Sequence, residues 1–168
     1  MIVVDGDSIA VATTQGVYAH QTWWARLNDK AIVLAEPSST TAEILARVPQ
    51  VIAAAPGAYI LCVGQWAHNH EPIDTFRDNV REICRKVMNA SIRVTLVTPP
   101  PQQGKYEDVG IYAEVVRKVA AEYADIGVKL LDFYAILKDY DIYAPDKVHL
   151  GAAGNAILAD ELNNIIGQ

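Results

Sequence analysis

The chain has 168 residues, of which 51% are hydrophobic and 20% charged, enough to bury a core and form a single domain spanning 1–168. Its net charge of −6 and the lack of any run of Lys and Arg argue against nucleic acid or an anionic membrane surface as partner, since either needs a basic face. No apolar stretch approaches the ~18 residues of a membrane span, and no basic segment precedes an apolar one at the N-terminus. The expectation is a soluble cytosolic protein, and a virion-borne or non-classically exported one is also compatible.

In chain order, a β-branched run at 2–5 is followed by a helical pattern at 17–28, and a run at 31–35 by a helix at 41–54. A third run at 59–63 leads to a helix at 73–89, a fourth at 92–98 to one at 106–125, and a fifth at 128–132 precedes a last helix at 152–166. The short runs are bounded by Gly, Pro or polar residues, as buried parallel strands are, and the alternation implies right-handed βαβ units. An α/β fold with a five-stranded, doubly wound parallel sheet covered on both faces follows. The strongest breaker, Pro99-Pro100-Pro101-Gln102-Gln103-Gly104, comes just past the fourth strand, where a loop at the carboxyl edge belongs. Cys62 and Cys84 fall in apolar and helical patterns without motif spacing and are expected to be buried thiols.

Two stretches near opposite ends carry chemistry. Asp5-Gly6-Asp7-Ser8 directly follows the first strand, and Asp146-Lys147-Val148-His149 precedes the last helix. In an open α/β sheet the ligand crevice lies beyond the carboxyl ends of the strands, so the Ser8 hydroxyl is expected there. A serine hydroxyl is a poor nucleophile until a base takes its proton; His149 is the expected base and Asp146 the group that orients it. Taken singly, Ser8 also reads as a helix cap, Asp146 as a turn former and His149 as a solvated side chain. Together they fill every role of nucleophilic acyl transfer.

Other residues have competing readings. His68 and His70 invite a metal, but no metal-motif spacing accompanies them and no metal or cofactor is expected. Tyr18, Trp23 and Trp24 read as packing residues of the first helical pattern, whereas Tyr140 and Tyr143 stand close enough to Asp146 to line a pocket.

On these residues the chain resembles the SGNH hydrolases, also called the GDSL esterase and lipase family. Gly6-Asp7-Ser8-Ile9 is similar to the family's first block and Asp146-Lys147-Val148-His149 to its last. The Pro-rich loop and the closing helix near Gly151-Ala152-Ala153-Gly154 are similar as well. The resemblance implies a three-layer, flavodoxin-like α/β/α sandwich and ester hydrolysis through an acyl-enzyme, with Ser8, His149 and Asp146 as nucleophile, base and acid. It implies oxyanion donors from a second block, here Ser38, and from a third, here Gly64-Gln65-Trp66. Trp66 stands where the family has a donating asparagine; Asn69, or the Trp66 indole, is the expected replacement. The substrate implied is a small-molecule or glycan ester with a short, acetyl-type acyl group, because a chain this short leaves little room for a lid or tunnel. The sequence sets no oligomeric state.

Two rival readings start from the same residues. Asp5-Gly6-Asp7 after a strand also looks like the first motif of haloacid dehalogenase-like, Mg-dependent phosphatases, with Asp132 or Asp139 completing the ion site, although Ile9 replaces the expected hydroxyl residue. The altered third block, in turn, suits a catalytically weak domain that binds a glycan or protein.

Overall fold

A computed structural model describes residues 1–13, 16–102, 106–137 and 143–167, without the side chains of 106 and 107. Five strands, β1 (Ile2–Gly6), β2 (Ala31–Val33), β3 (Ala58–Cys62), β4 (Arg93–Val97) and β5 (Lys129–Leu131), form one sheet in the order β2-β1-β3-β4-β5. Every neighbouring pair is parallel. The helices are α1 (Ser8–Val11), α2 (Thr41–Ala54), α3 (Ala67–His70), α4 (Ile73–Asn89), α5 (Tyr106–Glu122), α6 (Phe133–Leu137) and α7 (Ala152–Ile166).

The strands are apolar on both faces, as a sheet covered twice requires. Val3, Tyr59, Leu61, Val94 and Leu96 point to one side, where Ile44, Val48 and Val51 of α2 and Phe76, Val80, Ile83 and Val87 of α4 recur at helical spacing and complete a core with α5. Ile2, Val4, Ala58, Ile60, Cys62 and Val97 point to the other, against α1, α6 and Leu158, Ala159 and Leu162 of α7. The result is the expected three-layer sandwich. Both thiols are buried, and burial pushes Cys84 up to about 12 and Cys62 well above the usual range, which keeps them unreactive. Among the described residues no helix is long and apolar enough to cross a membrane.

One element differs from expectation. Residues 17–28 are not a helix but two 3-10 turns, Ala19–Gln21 and Trp24–Arg26. The Trp23 amide is taken by the Asn155 side chain from α7, at 3.0 Å, and is lost to any local helix. Trp23 is fully buried as expected, but Tyr18 stands 69% exposed and stacks on His20.

The chain leaves β1 toward β2 on one side and returns to β3 on the other, so the sheet reverses its winding between β1 and β3. A crevice opens at such a switch point, beyond the carboxyl ends of the two strands. Ser8 and the segment starting at Gly64 lie there.

Candidate active site

Gly6 ends β1 at φ +144°, and a Cβ there would lie 1.9 Å from the Cys62 carbonyl oxygen. Only glycine lets the chain turn this close to β3. Asp7 then caps α1: its Oδ1 accepts from the Ile9 amide at 3.0 Å, and its Oδ2 accepts from the Trp66 amide at 3.1 Å. Burial pushes the Asp7 carboxyl up, against the lowering pull of the amides of Trp66, Ile9 and Gln65. Ser8 opens α1, half-buried at the mouth of the crevice.

Two indoles hold this short helix in place. Trp23 Nε1 donates to the Ile9 carbonyl and Trp24 Nε1 to that of Val11, each at 3.0 Å, satisfying acceptors that four residues of helix cannot pair internally.

His149 arrives from the other end of the chain. Ser8 Oγ and His149 Nε2 are 2.9 Å apart, and His149 Nδ1 and Asp146 Oδ2 are 2.7 Å apart. A proton on Nδ1, donated to Asp146, leaves Nε2 free to accept from the serine, and this tautomer is assigned from the bonding pattern. Asp146 Oδ1 also accepts from the amides of Val148 and His149, both at 3.0 Å. One carboxylate thus folds the turn, in which Lys147 adopts φ +59°, and aims the ring. Burial works against ionisation of Asp146, but the His149 side chain and these amides outweigh it and hold the carboxyl below its usual range.

Asn155 joins the two halves, and sequence reasoning missed it. Fully buried in α7, it donates to the carbonyls of Leu150 (3.2 Å) and Gly151 (3.0 Å) and accepts from the Trp23 amide. The loop carrying His149 and the indole under α1 therefore share one side chain. Its only signal was an asparagine in the otherwise apolar first half of the helix, a residue unfavourable in helix interiors.

Opposite Ser8 lies the loop after β2. Ser38 adopts φ +62°, a left-handed conformation that glycine takes without penalty, which fits a position where the resembling family carries glycine. Ser38→Gly is expected to raise stability by up to about 1 kcal/mol, relief of left-handed strain offset by chain entropy; a denaturant midpoint lowered by the change would contradict this. Beneath the loop, Arg47 donates to Asp5 Oδ1 from Nη2 (2.7 Å) and Nε (3.1 Å), and to Ser39 Oγ from Nη1 (3.0 Å).

Asp5 is fully buried and also accepts from the Gly6 amide (2.8 Å) and the Tyr59 hydroxyl (3.3 Å). Asp7 is spent on capping and Asp132 is paired with Arg117 at 2.8 Å. These surroundings leave Asp5 no open oxygen for attack on phosphorus, which corrects the phosphatase reading; Asp139, its other acid, lies outside the described residues.

The third wall begins at Gly64, whose φ of +117° and contact with Pro99 (2.9 Å from an added Cβ to Cγ) again exclude a side chain. Trp66 places its indole against His70, ring centroids 3.7 Å apart. His70 Nδ1 meets the Trp66 carbonyl at 2.8 Å, His68 Nδ1 meets that of Gln65 at 2.5 Å, and Asn69 Nδ2 donates to His68 Nε2 at 2.7 Å. Among the described residues no group of three His, Cys, Asp or Glu is placed to hold a metal ion. Glu71 anchors the end of this loop, accepting from the Thr41 amide (2.9 Å) and hydroxyl (2.7 Å), while Tyr112 donates to its carbonyl.

Ser8, Ser38, Trp66, Asn69 and His149 share one cleft of about 280 Å³, together with Gln65 and Gln102, and among the described residues no Asp, Glu, Lys or Arg lines it. Gly64 is buried and is not among the lining residues. Tyr143 does not line the cleft; its hydroxyl donates to the Pro101 carbonyl and ties the Pro-rich loop to the one carrying His149. Tyr140, Gln103 and Gly104 lie outside the described residues.

Residues 5–157 match the GDSL-like lipase/acylhydrolase family. No curated protein sequence matches the chain. Among solved structures, a G-D-S-L family protein from Desulfitobacterium hafniense DCB-2 is similar at TM-score 0.83 and 19% identity, covering 98% of each chain. A lipase/acylhydrolase from Enterococcus faecalis gives 0.84 and 19%, over 98% of this chain and 94% of that one. An acetyl xylan esterase, AlAXEase, gives 0.79 and 22%, over 99% and 100%. At these identities the likeness is one of fold.

Proposed function

Because this chain belongs to the GDSL-like lipase/acylhydrolase family, we propose that it is a serine esterase that removes short, acetyl-type acyl groups from carbohydrate alcohols through an acyl-enzyme. The observation that carries this reading is the continuous line of hydrogen bonds from Ser8 Oγ through His149 to Asp146.

Ser8 Oγ attacks the ester carbonyl carbon as its proton passes to His149 Nε2, and the carbonyl electron pair moves onto oxygen. Collapse of this tetrahedral species breaks the bond to the alcohol, which leaves with the proton from Nε2. Water then repeats the sequence: it loses a proton to Nε2, attacks the acyl carbon, and releases the acid as Ser8 Oγ recovers the proton. Asp146 holds the ring in the required tautomer and stabilises its cationic form. The amides of Ser8 and Ser38, with a donor from the segment after Gly64, hold the charge that builds on oxygen.

The cleft supports a sugar over a lipid. Its lining of amides, imidazoles and a half-exposed indole, beside Pro37 and Val148, suits a neutral polyhydroxylated alcohol that carries a small acyl group. The similar AlAXEase fold belongs to an enzyme for acetylated xylan, which is in keeping with such a substrate.

With 4-nitrophenyl esters, kcat/KM is expected to be no higher for octanoate than for acetate, since each added methylene the cleft cannot bury gains nothing. Acetate should also be released from acetylated xylo-oligosaccharide. A preference for octanoate would contradict the assignment of a short acyl group. The pH profile adds a separate check. Because Asp146 is held below the usual carboxylate range, it stays ionised from pH 5 upward. A fall in kcat/KM on acidification while Asp146 is still ionised is then expected, because a protonated imidazole cannot accept the Ser8 proton; a flat profile would contradict an imidazole base.

A further inference from the structure

Trp66 stands where the resembling family has the asparagine that would donate to the oxyanion, and two of the other candidate donors after Gly64, the Trp66 amide and the Asn69 side chain, are already engaged. The Trp66 amide donates to Asp7 Oδ2, the Trp66 indole lies against His70, and the exposed Asn69 gives its Nδ2 to His68. Gln65 differs from all of these. The residue is 4% exposed, and among the described residues neither Nε2 nor Oε1 has a hydrogen-bond partner. It lines the same cleft as Ser8 and His149.

Buried side-chain amides are almost always paired, because an unmade bond leaves the desolvation of the group uncompensated. An unpaired one on a residue that lines a cleft marks a place where a ligand supplies the partner once the amide turns outward. Register puts this one next to the nucleophile: Gly6 pairs with Cys62 across β1 and β3, Ser8 lies two residues beyond the first and Gln65 three beyond the second. The backbone carbonyl of Gln65 is held by His68 and its amide helps to hold Asp7, so the peptide that carries the side chain is fixed on both sides. Since neither end of the side-chain amide is bonded, turning Nε2 toward the cleft breaks nothing.

We infer that Gln65 is a catalytic residue whose side-chain Nε2–H donates to the ester carbonyl oxygen as it becomes the oxyanion, the role the resembling family gives to asparagine one position later. This rests on the serine esterase reading and names the donor that reading leaves open. Such a donor is strongest when the charge has formed, so its loss lowers kcat and leaves KM nearly unchanged. The loss is also the same for every acyl group, because the carbonyl oxygen is common to all of them.

The test uses Gln65→Met, which keeps the volume without the donor, and Gln65→Glu, which keeps the shape but places an acid against the oxyanion. Both are assayed on 4-nitrophenyl acetate, propionate and butyrate, with thermal unfolding recorded for each. The expected result is a fall in kcat of about 10²- to 10³-fold in both variants, equal across the three esters, with KM within about threefold. The rate of inactivation by a serine-directed organophosphonate, whose phosphoryl oxygen occupies the same position, should fall in parallel. Retention of kcat within a few-fold by a folded Gln65→Met overturns the assignment. So does a loss that grows with acyl length, which would make Gln65 a reader of the acyl group, or a larger loss in Asn69→Ala than in Gln65→Met. If one variant does not fold, the other decides by the same criteria; if neither folds, the assignment fails, because a substrate-facing amide without protein partners is not needed for folding. Failure of the underlying esterase reading looks different: the unaltered protein would then hydrolyse none of the esters, or would take no phosphonyl group on Ser8.

Discussion

Ser8→Ala and His149→Ala are each expected to lower kcat for 4-nitrophenyl acetate by about 10⁴- to 10⁶-fold, and the double variant is expected to be no slower than the worse of the two. The two side chains perform one step. Without the hydroxyl there is no atom to acylate, and without the imidazole, 2.9 Å from it, the hydroxyl keeps its proton. Once either is gone, the other has nothing to contribute, so the losses do not add. The residue of activity comes from binding and from oxyanion donors acting on water. Losses that multiply in the double variant would mean that the two residues act in separate steps. A Ser8→Ala protein with more than a few per cent of the original rate would remove serine from the chemistry.

Gly6→Ala is expected to be the most damaging single methyl group that can be added near the site. The added Cβ would lie 1.9 Å from the Cys62 carbonyl oxygen and 3.0 Å from Ala10 Cβ, and φ of +144° is strained for any L side chain. Backbone on both sides is held by sheet pairing with β3, so neither partner can withdraw cheaply. The loss should exceed about 4 kcal/mol, at the upper end of what one substitution does, and for a marginally stable domain much of the protein would be unfolded at 25 °C. Denaturant unfolding measures it directly; a loss below about 1 kcal/mol would mean that β1 and β3 separate readily at their carboxyl ends. The same glycine that permits this close approach places Ser8 over the crevice, so stability and function meet in one residue.

What could be read from the sequence was local. The alternation of apolar runs with helical patterns gave the five strands and their parallel sheet, because both signals lie within a dozen residues. Asp7-Ser8 and Asp146-His149 were legible for the same reason: each is a short polar motif at a strand or helix boundary. Segment 17–28 misled because its apolar spacing is helical while Asn155, 132 residues away, takes the Trp23 amide. Asp5 misled in the opposite sense. An aspartate after a strand reads as chemistry, yet the guanidinium of Arg47, 42 residues further on, turns it into a buried structural pair. Gln65 and Asn155 gave almost no local signal, since what sets them apart is burial and which polar atoms end up paired. Both are consequences of packing that no window of neighbours displays.

Treatment of the unaltered protein with a serine-directed organophosphonate, followed by intact mass and peptide mapping, tests the site most directly. One phosphonyl group on Ser8 is expected, absent from Ser8→Ala and formed far more slowly in His149→Ala. A protein that hydrolyses acetyl esters yet takes no label, or takes it on a residue other than Ser8, would contradict the assignment of Ser8 as the nucleophile activated by His149.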